Sequence, residues 1–324
     1  MKKTILTAAT AVLALGAGAA LAAPVTQNAF GVSLGDNGTT LVTMADLNAP
    51  SAVTGLAITE NGESRALSAV AYRPQTGQLY GYSDQTDTVY LIDQTTGAVT
   101  AQVTSPNATE VETLGFDFNN QLDAARLVTT SDKNFVFDPK VDPATLTRVT
   151  DLAYALGDMF EGQDPNIVGN AYTNAVPDAS TTLQFALDSQ QDALVTLANN
   201  AGTLDTVGLL FSDGAPLDFG TDGGFDILSF AEGDNTGFAL LSTVLGEGLY
   251  QIDLFANDAG QVNASLIGTV GGQFGTLDGL AVIPRGDDMV APIPVPASFG
   301  LLGLGLAGLG AAGLRRRAAK RANG

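Results

Sequence analysis

One tetrapeptide recurs along this chain at nearly constant spacing, and that recurrence restricts the available folds more than any other feature. Ala69-Val-Ala-Tyr72, Gly115-Phe-Asp-Phe118, Gly169-Asn-Ala-Tyr172, Gly224-Phe-Asp-Ile227 and Gly279-Leu-Ala-Val282 start 46, 54, 55 and 55 residues apart. The first four each open a set of short runs rich in Val, Ile, Phe, Tyr and Thr. Clusters of Gly, Pro, Asp and Asn cut these runs, the pattern of strands joined by tight turns. In the cleanest set the runs 66–73, 78–83, 88–93 and 98–103 are separated by PQTG, DQTD and QTTG. Comparable sets occupy 113–150, 167–210 and 224–270. Four strands per unit at a period of about 40–50 residues is the signature of propeller blades.

The two ends of this region complete the pattern. Residues 28–58 hold only three extended runs (30–33, 39–44 and 52–58), and one isolated strand stands at 277–284. Pairing that strand with the N-terminal runs makes a fifth unit and leaves no open sheet edge. The expectation is an all-β chain: a β-propeller of five four-stranded blades, closed by the C-terminal strand on the N-terminal blade. A pair of β-sandwiches is the alternative, and it leaves the odd strands at opposite ends unexplained. Residues 151–166 interrupt the repeat as a longer loop with room for one helical turn.

The termini read as a delivery system. Residues 1–22 have the layout of a secretory signal peptide: Lys2 and Lys3, an apolar segment, and the small-x-small site Ala20-Leu21-Ala22, with Ala23 as the mature N-terminus. The domain at 28–284 is followed by a polar, proline-rich linker at 285–298, an apolar transmembrane-like run at 299–314, and a basic end at 315–324. A helix over those 16 apolar residues is about 24 Å long, short of a ~30 Å bilayer core. The arginines after it favour the cytoplasmic side.

Composition removes whole classes of chemistry. There is no cysteine and no histidine, so disulfides, thiolate metal sites and the usual hydrolase triads are excluded. Of 14 basic residues, seven lie in the first three or last ten positions, leaving seven against all 34 acidic ones. So acidic a domain repels nucleic acid and anionic lipid.

Two residues break the recurring tetrapeptide. Asp117 and Asp226 stand where the other sets have Ala71, Ala171 and Ala281. First strands of a propeller line its axis, so two carboxylates there are candidates for an acid–base pair or a cation site. The competing reading is that each caps backbone N–H groups. Arg73 and Arg126, following two of the first strands, are candidates to neutralise them. Asp213, Asp218 and Asp222 share one flexible glycine-rich segment and are the calcium candidates, although they lack the D-x-[DN]-x-[DN]-G pattern. Asp93, Asp138 and Asp253 end third strands, and Gly97 and Gly260 close two of those loops, as ordinary turn residues do. Tyr72, Tyr80, Tyr82 and Tyr90 read as packing between blades, with sugar stacking as the alternative.

Two resemblances add to this reading. Ile293-Pro-Val-Pro-Ala297, the apolar run and Arg315, Arg316 and Arg317 resemble C-terminal sorting signals of the PEP-CTERM class, in its Val-Pro-Leu-Pro-Ala form. Pro294, Val295, Pro296 and Ala297 carry the motif. The resemblance implies a Gram-negative bacterium, an exosortase as processing partner, transient residence in the inner membrane, and delivery to the cell surface or exterior beside exopolysaccharide. The body resembles an uncharacterised bacterial family, domain of unknown function 4394. The resemblance lies in Tyr72-Arg-Pro-Gln-Thr-Gly-Gln-Leu-Tyr-Gly81, Gly115-Phe-Asp-Phe-Asn119, Ala171-Tyr-Thr-Asn174, Asn200-Ala-Gly-Thr-Leu204 and Thr206-Val-Gly208. That family brings no established activity. The function expected is a Sec-exported, non-catalytic propeller that binds extracellular polysaccharide or a surface protein, with no cofactor. A carboxylate-based glycosidase or lyase and a calcium-dependent adhesion module are the alternatives.

Overall fold

The computed structural model describes residues 29–105 and 114–285. These residues form antiparallel four-strand meanders, each running outward from a buried first strand. Unit 1 is built from both ends of the chain, in the order Asp278–Pro284, Ala29–Gly35, Thr40–Met44, Val53–Ala57. Unit 2 comprises Ala69–Arg73, Gln78–Ser83, Thr88–Ile92 and Val99–Thr104; unit 3 comprises Leu114–Asn119, Ala124–Thr129, Asn134–Asp138 and Thr145–Arg148. Unit 4 runs through Ile167–Tyr172, Gln184–Asp188, Ala193–Ala198 and Thr203–Ser212, and unit 5 through Gly223–Ser229, Asn235–Thr243, Gly246–Ile252 and Gln261–Thr269. The fold is all-β and propeller-like.

The closing strand behaves as its isolated position in the sequence implies. Ala29, Phe30, Gly31 and Val32 pair antiparallel with Pro284, Ile283, Val282 and Ala281. The first strands of units 2, 3, 4, 5 and 1 contact one another in that order, and unit 1 returns to unit 2. Burial follows from this ring. The first strands of units 3, 4 and 5 are buried at every residue, whereas the fourth strands of units 1 to 3 are largely exposed. Apolar clusters fill the spaces between units 1 and 2, 2 and 3, 4 and 5, and 5 and 1. Tyr80, Tyr82 and Tyr90 belong to these clusters, and Tyr72 packs against one of them.

The turns form by backbone chemistry that the sequence carries. Asp36 and Asn37 take φ of 52° and 56°, and Gly97 and Gly260 take 74° and 73°. Small polar residues and glycine tolerate this left-handed region best. Asp93 accepts the N–H groups of Thr95 and Thr96 and the Thr95 hydroxyl. Those bonds, the Thr95 hydroxyl foremost, hold its carboxyl below the usual range. Asp138 accepts Lys140 N–H at 2.9 Å.

Several features differ from expectation. The loop at 151–166 carries no helical turn; Ala153–Tyr154 instead pairs parallel with Thr203 and Leu204, because buried Leu152 and Tyr154 anchor it to unit 4. A small hairpin, Thr59–Glu60 with Glu63–Ser64, stands between units 1 and 2. The outer strands of units 4 and 5 join in parallel at 209–211 and 261–263, merging two meanders into one sheet. Among the described residues no helix is long and apolar enough to cross a membrane. The expectations for 1–22, the linker with Pro294–Ala297, the run 299–314 and Arg315–Arg317 lie outside the described residues.

Arg73 does not reach either axial aspartate. Its Nε and Nη2 bind Asp123 Oδ1 and Oδ2 at 2.7 and 2.5 Å, tying the first strand of unit 2 to a turn of unit 3. Arg73 is 9% exposed, so losing its partner strands a charge that is nearly buried. Asp123→Asn is expected to lower the unfolding free energy by about 2 kcal/mol, the scale of a hydrogen bond to a charged group. A urea titration checks this, and Arg73→Met with Asp123→Leu together is expected to recover part of the loss.

Candidate functional site

The axis is where the recurring tetrapeptides meet, and glycine lets them meet closely. A Cβ on Gly115 would stand 2.5 Å from Asn170 Oδ1 and 2.7 Å from its backbone nitrogen. One on Gly224 would stand 2.4 Å from the carbonyl carbon of Gly279. The backbones of neighbouring first strands therefore touch directly. The space left among them is a void of ≈ 10 Å³ lined by Ala69, Gly115, Gly169, Gly224 and Gly279, enough for about one water.

The two aspartates sit one pleat further along. The edge of a first strand that faces the axis has N–H groups without a strand partner, and a buried N–H needs one. Asp117 Oδ2 accepts the N–H of Tyr172 in unit 4 at 2.7 Å; Asp226 Oδ2 accepts that of Val282 in unit 1 at 2.5 Å. Asp226 Oδ1 also accepts the N–H of Ile227 at 2.7 Å. Each carboxyl thus bridges its own unit to the next, at 8% and 6% exposure. Burial pushes Asp226 up to about 7 against the pull of the Val282 and Ile227 N–H groups. Asp117 is raised well above its ordinary value, first by burial and then by the negative charge of Asp226, while the Tyr172 and Phe118 N–H groups oppose the shift. Both carboxyls are thus buried and committed to backbone N–H groups.

The calcium candidates separate. Asp213 occupies a hairpin tip with φ of 51°, Asp218 lies near Asp192, and Asp222 lies near Glu247 and Asp278. Among the described residues no three acidic side chains are placed to hold a metal ion. Asp253 lies between the third and fourth strands of unit 5, and its N–H donates to Asn263 O.

The space between units 3 and 4 holds an arrangement that sequence reasoning missed. Arg126, 4% exposed, donates to Asn134 Oδ1 at 2.9 Å and Asn200 Oδ1 at 2.8 Å, and reaches Tyr172 Oη at 3.5 Å. The Tyr172 hydroxyl lies 2.8 Å from Gln184 Oε1 and 2.6 Å from Asn199 Oδ1, and burial pushes its pKa up to about 12. Asn170 is fully buried and its amide finds no partner among the described residues. This space also holds an apolar cluster around Val128, Tyr154, Ile167 and Val195, and the polar network lies beside it. The signal was present in Ala124-Ala125-Arg126-Leu127-Val128, a lone cation flanked on both sides by apolar residues of one strand.

The raised carboxyls set a direction for stability. Burial raises Asp226 and Glu247 to about 7 and Asp278 to about 6, against unfolded values near 4. Between about pH 4 and 7 the folded chain then binds more protons than the unfolded one, so stability falls as pH rises through that window. The melting temperature is expected to drop steadily from pH 5 to pH 8 at constant ionic strength. Asp226→Asn should flatten the slope, and a melting temperature that rises over this interval would contradict the assignment.

The family model for Domain of unknown function (DUF4394) matches residues 40–281. The chain belongs to this family. The matched DUF4394 region takes in four whole units and most of unit 1, with Asp117, Asp226 and Arg126 inside it. No curated protein matches the chain. Among solved structures, an auxiliary nutrient binding protein from Bacteroides ovatus is similar at 13% identity and a TM-score of 0.41, over 64% of this chain and 55% of that one. The chain thus spans little more than half the length of that relative. A gluconolactonase from Xanthomonas campestris is similar at 15% identity and a TM-score of 0.41, over 79% and 80% of the two chains. Virginiamycin B lyase from Staphylococcus aureus is similar at 9% identity and a TM-score of 0.39, over 74% and 71%.

Proposed function

We propose that this DUF4394 protein is a five-bladed propeller, each unit a four-stranded blade, that is exported and acts without catalysis as a binding module at the cell surface or outside the cell. The observation that carries this is the closed axis. Its two carboxyls are spent on bridging blades, and the void beside them holds about one water. Binding to an extracellular polymer or a surface protein then falls to the faces and rims of the ring. The stretches at 1–22 and 294–317, which read in the sequence as delivery signals, are the support for export through Sec, exosortase processing, and an exopolysaccharide setting. The two ends of the described chain leave side by side, Arg285 Nε reaching Ala29 O at 3.4 Å, so a C-terminal tether would hold the ring by one end and leave the other free.

The test is retrieval of exopolysaccharide and surface proteins by the purified protein, beside the Asp117→Asn, Asp226→Asn double variant. Binding is expected in both. Loss of binding in the double variant with an unchanged fold would move the site to the axis. The second reading, a carboxylate-based glycosidase or lyase, is favoured by the pairing of two raised carboxyls within one ring. It predicts reducing ends or unsaturated products from an extracellular polysaccharide, absent in the double variant.

A further inference from the structure

The ring is closed at its axis, but a groove of ≈ 450 Å³ opens between units 4 and 5. It lies where the first strands finish: Thr173 follows the first strand of unit 4, Gly233 and Asn235 follow that of unit 5, and 251–255 ends the third strand of unit 5. The volume falls within the ≈ 300–1,000 Å³ of small-ligand sites.

Its lining is specific in kind. Phe255 is 76% exposed, and it meets Phe185 in a T-shaped contact with centroids 6.5 Å apart at 89°. Most of the ring therefore stays in water beside one aromatic contact. Ile252 and Leu254, both buried, add apolar surface. Around them stand an amide, a carboxylate and a hydroxyl, from Gln251, Asp253 and Thr236, none of which makes a side-chain hydrogen bond among the described residues. Asn235 is already committed, its Oδ1 accepting from Asn174 N and the Ser229 hydroxyl. No Lys or Arg lines the groove.

These groups select a ligand class. An anionic ligand would meet Asp253 and a protein of net charge −20 with no cation to pair with. A purely apolar ligand would leave Gln251 and Asp253 desolvated without partners. A neutral saccharide satisfies both sides: the C–H face of a pyranose lies on an aromatic ring, and its hydroxyls can donate to a carboxylate and exchange bonds with an amide and a hydroxyl. We propose that this groove binds a neutral saccharide unit of an extracellular polymer, with Phe255 as the stacking platform and Gln251 and Asp253 as the orienting hydrogen-bond partners. The inference rests on the reading of the protein as a binding module and assigns that module its site and ligand class.

The experiment measures binding of the purified protein to neutral oligosaccharides (β-glucan, dextran, galactomannan) and to alginate and polygalacturonate oligomers by calorimetry. Phe255→Ala, Phe255→Tyr and the pair Gln251→Ala, Asp253→Asn are compared with the unmodified chain. At least one neutral series is expected to bind. Phe255→Ala is expected to weaken it about tenfold or more, ~1.4 kcal/mol, and Phe255→Tyr to restore it. Because Phe255 is so exposed, the melting temperature should not move, which separates lost contact from lost fold. Neutral binding that ignores all three variants overturns the groove while leaving the binding-module reading standing. Binding confined to the acidic oligomers, or absent from every oligomer, overturns the inference outright. The broader reading fails only if retrieval of surface polymers and proteins also yields nothing.

Discussion

A chain ending at Leu277 is expected to have no cooperative unfolding transition. The seven residues Asp278–Pro284 are the first strand of unit 1, and they are the part of that unit that faces the axis. They pair with Ala29–Gly35 along one edge and touch the first strands of units 5 and 2. Leu280, Ala281, Val282 and Ile283 are each at most 3% exposed. At ~1.5–3 kcal/mol for each fully buried large apolar side chain, Leu280, Val282 and Ile283 together contribute about 4–9 kcal/mol. That matches the whole net stability of an ordinary domain, about 5–15 kcal/mol. Removing them also deprives Asp226 of the Val282 N–H and leaves both the strand at Ala29–Gly35 and the ring open. Thermal melting followed by circular dichroism reads the result, with truncation after Arg285 as the control that should melt like the parent. A sharp transition after truncation at Leu277 would show that the ring does not depend on its closing strand.

The second large effect is expected from one added methyl group. In Gly224→Ala the new Cβ would lie 2.4 Å from the Gly279 carbonyl carbon and 2.5 Å from the Leu280 nitrogen. Both atoms are backbone of a first strand held on its other edge by Ala29–Gly35, so no side-chain rotation relieves the overlap. Overpacking of this kind costs about 3 kcal/mol, and Gly224→Val adds two further carbons to the same spot and should prevent folding. Gly272→Ala is the matched control, because its Cβ meets nothing within 4 Å. Urea unfolding of the three variants gives the comparison. Equal midpoints for Gly224→Ala and Gly272→Ala would mean that the first strands are not in contact at the axis.

The strands were legible because the signal for each is local. Val, Tyr and Phe runs closed by PQTG or DQTD specify a hairpin whatever surrounds them, and the 46-to-55-residue recurrence supplied the stacking. What was not legible depends on neighbours far away in sequence. The parallel join between 209–211 and 261–263 needs two outer strands to come edge to edge, and neither carries a mark of it. The loop at 151–166 has acidic and glycine residues suited to a turn, yet Tyr154 takes it into a sheet by filling space between units 3 and 4. At the axis, the sequence singled out Asp117 and Asp226 by breaking a repeat, but could not show that their partners are the backbone N–H groups of Tyr172 and Val282, 55 and 56 residues away. Arg126 was expected beside those carboxyls; the structure turns it toward Asn134 and Asn200 instead. The groove at Phe255 draws its walls from 173, 233–236 and 251–255, three segments with no common motif.

The central claim is that one strand from the C-terminal end closes a ring begun at the N-terminal end. The natural chain has no cysteine, so a single engineered pair reports on it without background. Val32 and Ala281 are register partners, both buried, and paired strands bring Cα atoms within the 4.4–6.8 Å that a disulfide spans. Val32→Cys with Ala281→Cys, oxidised at low protein concentration, is predicted to give an intramolecular crosslink in nearly every molecule. It would be read by non-reducing electrophoresis and by a disulfide-linked peptide in the mass spectrum, with a higher melting temperature than the reduced form. Free thiols after oxidation, or crosslinks only between molecules, would contradict the closed ring.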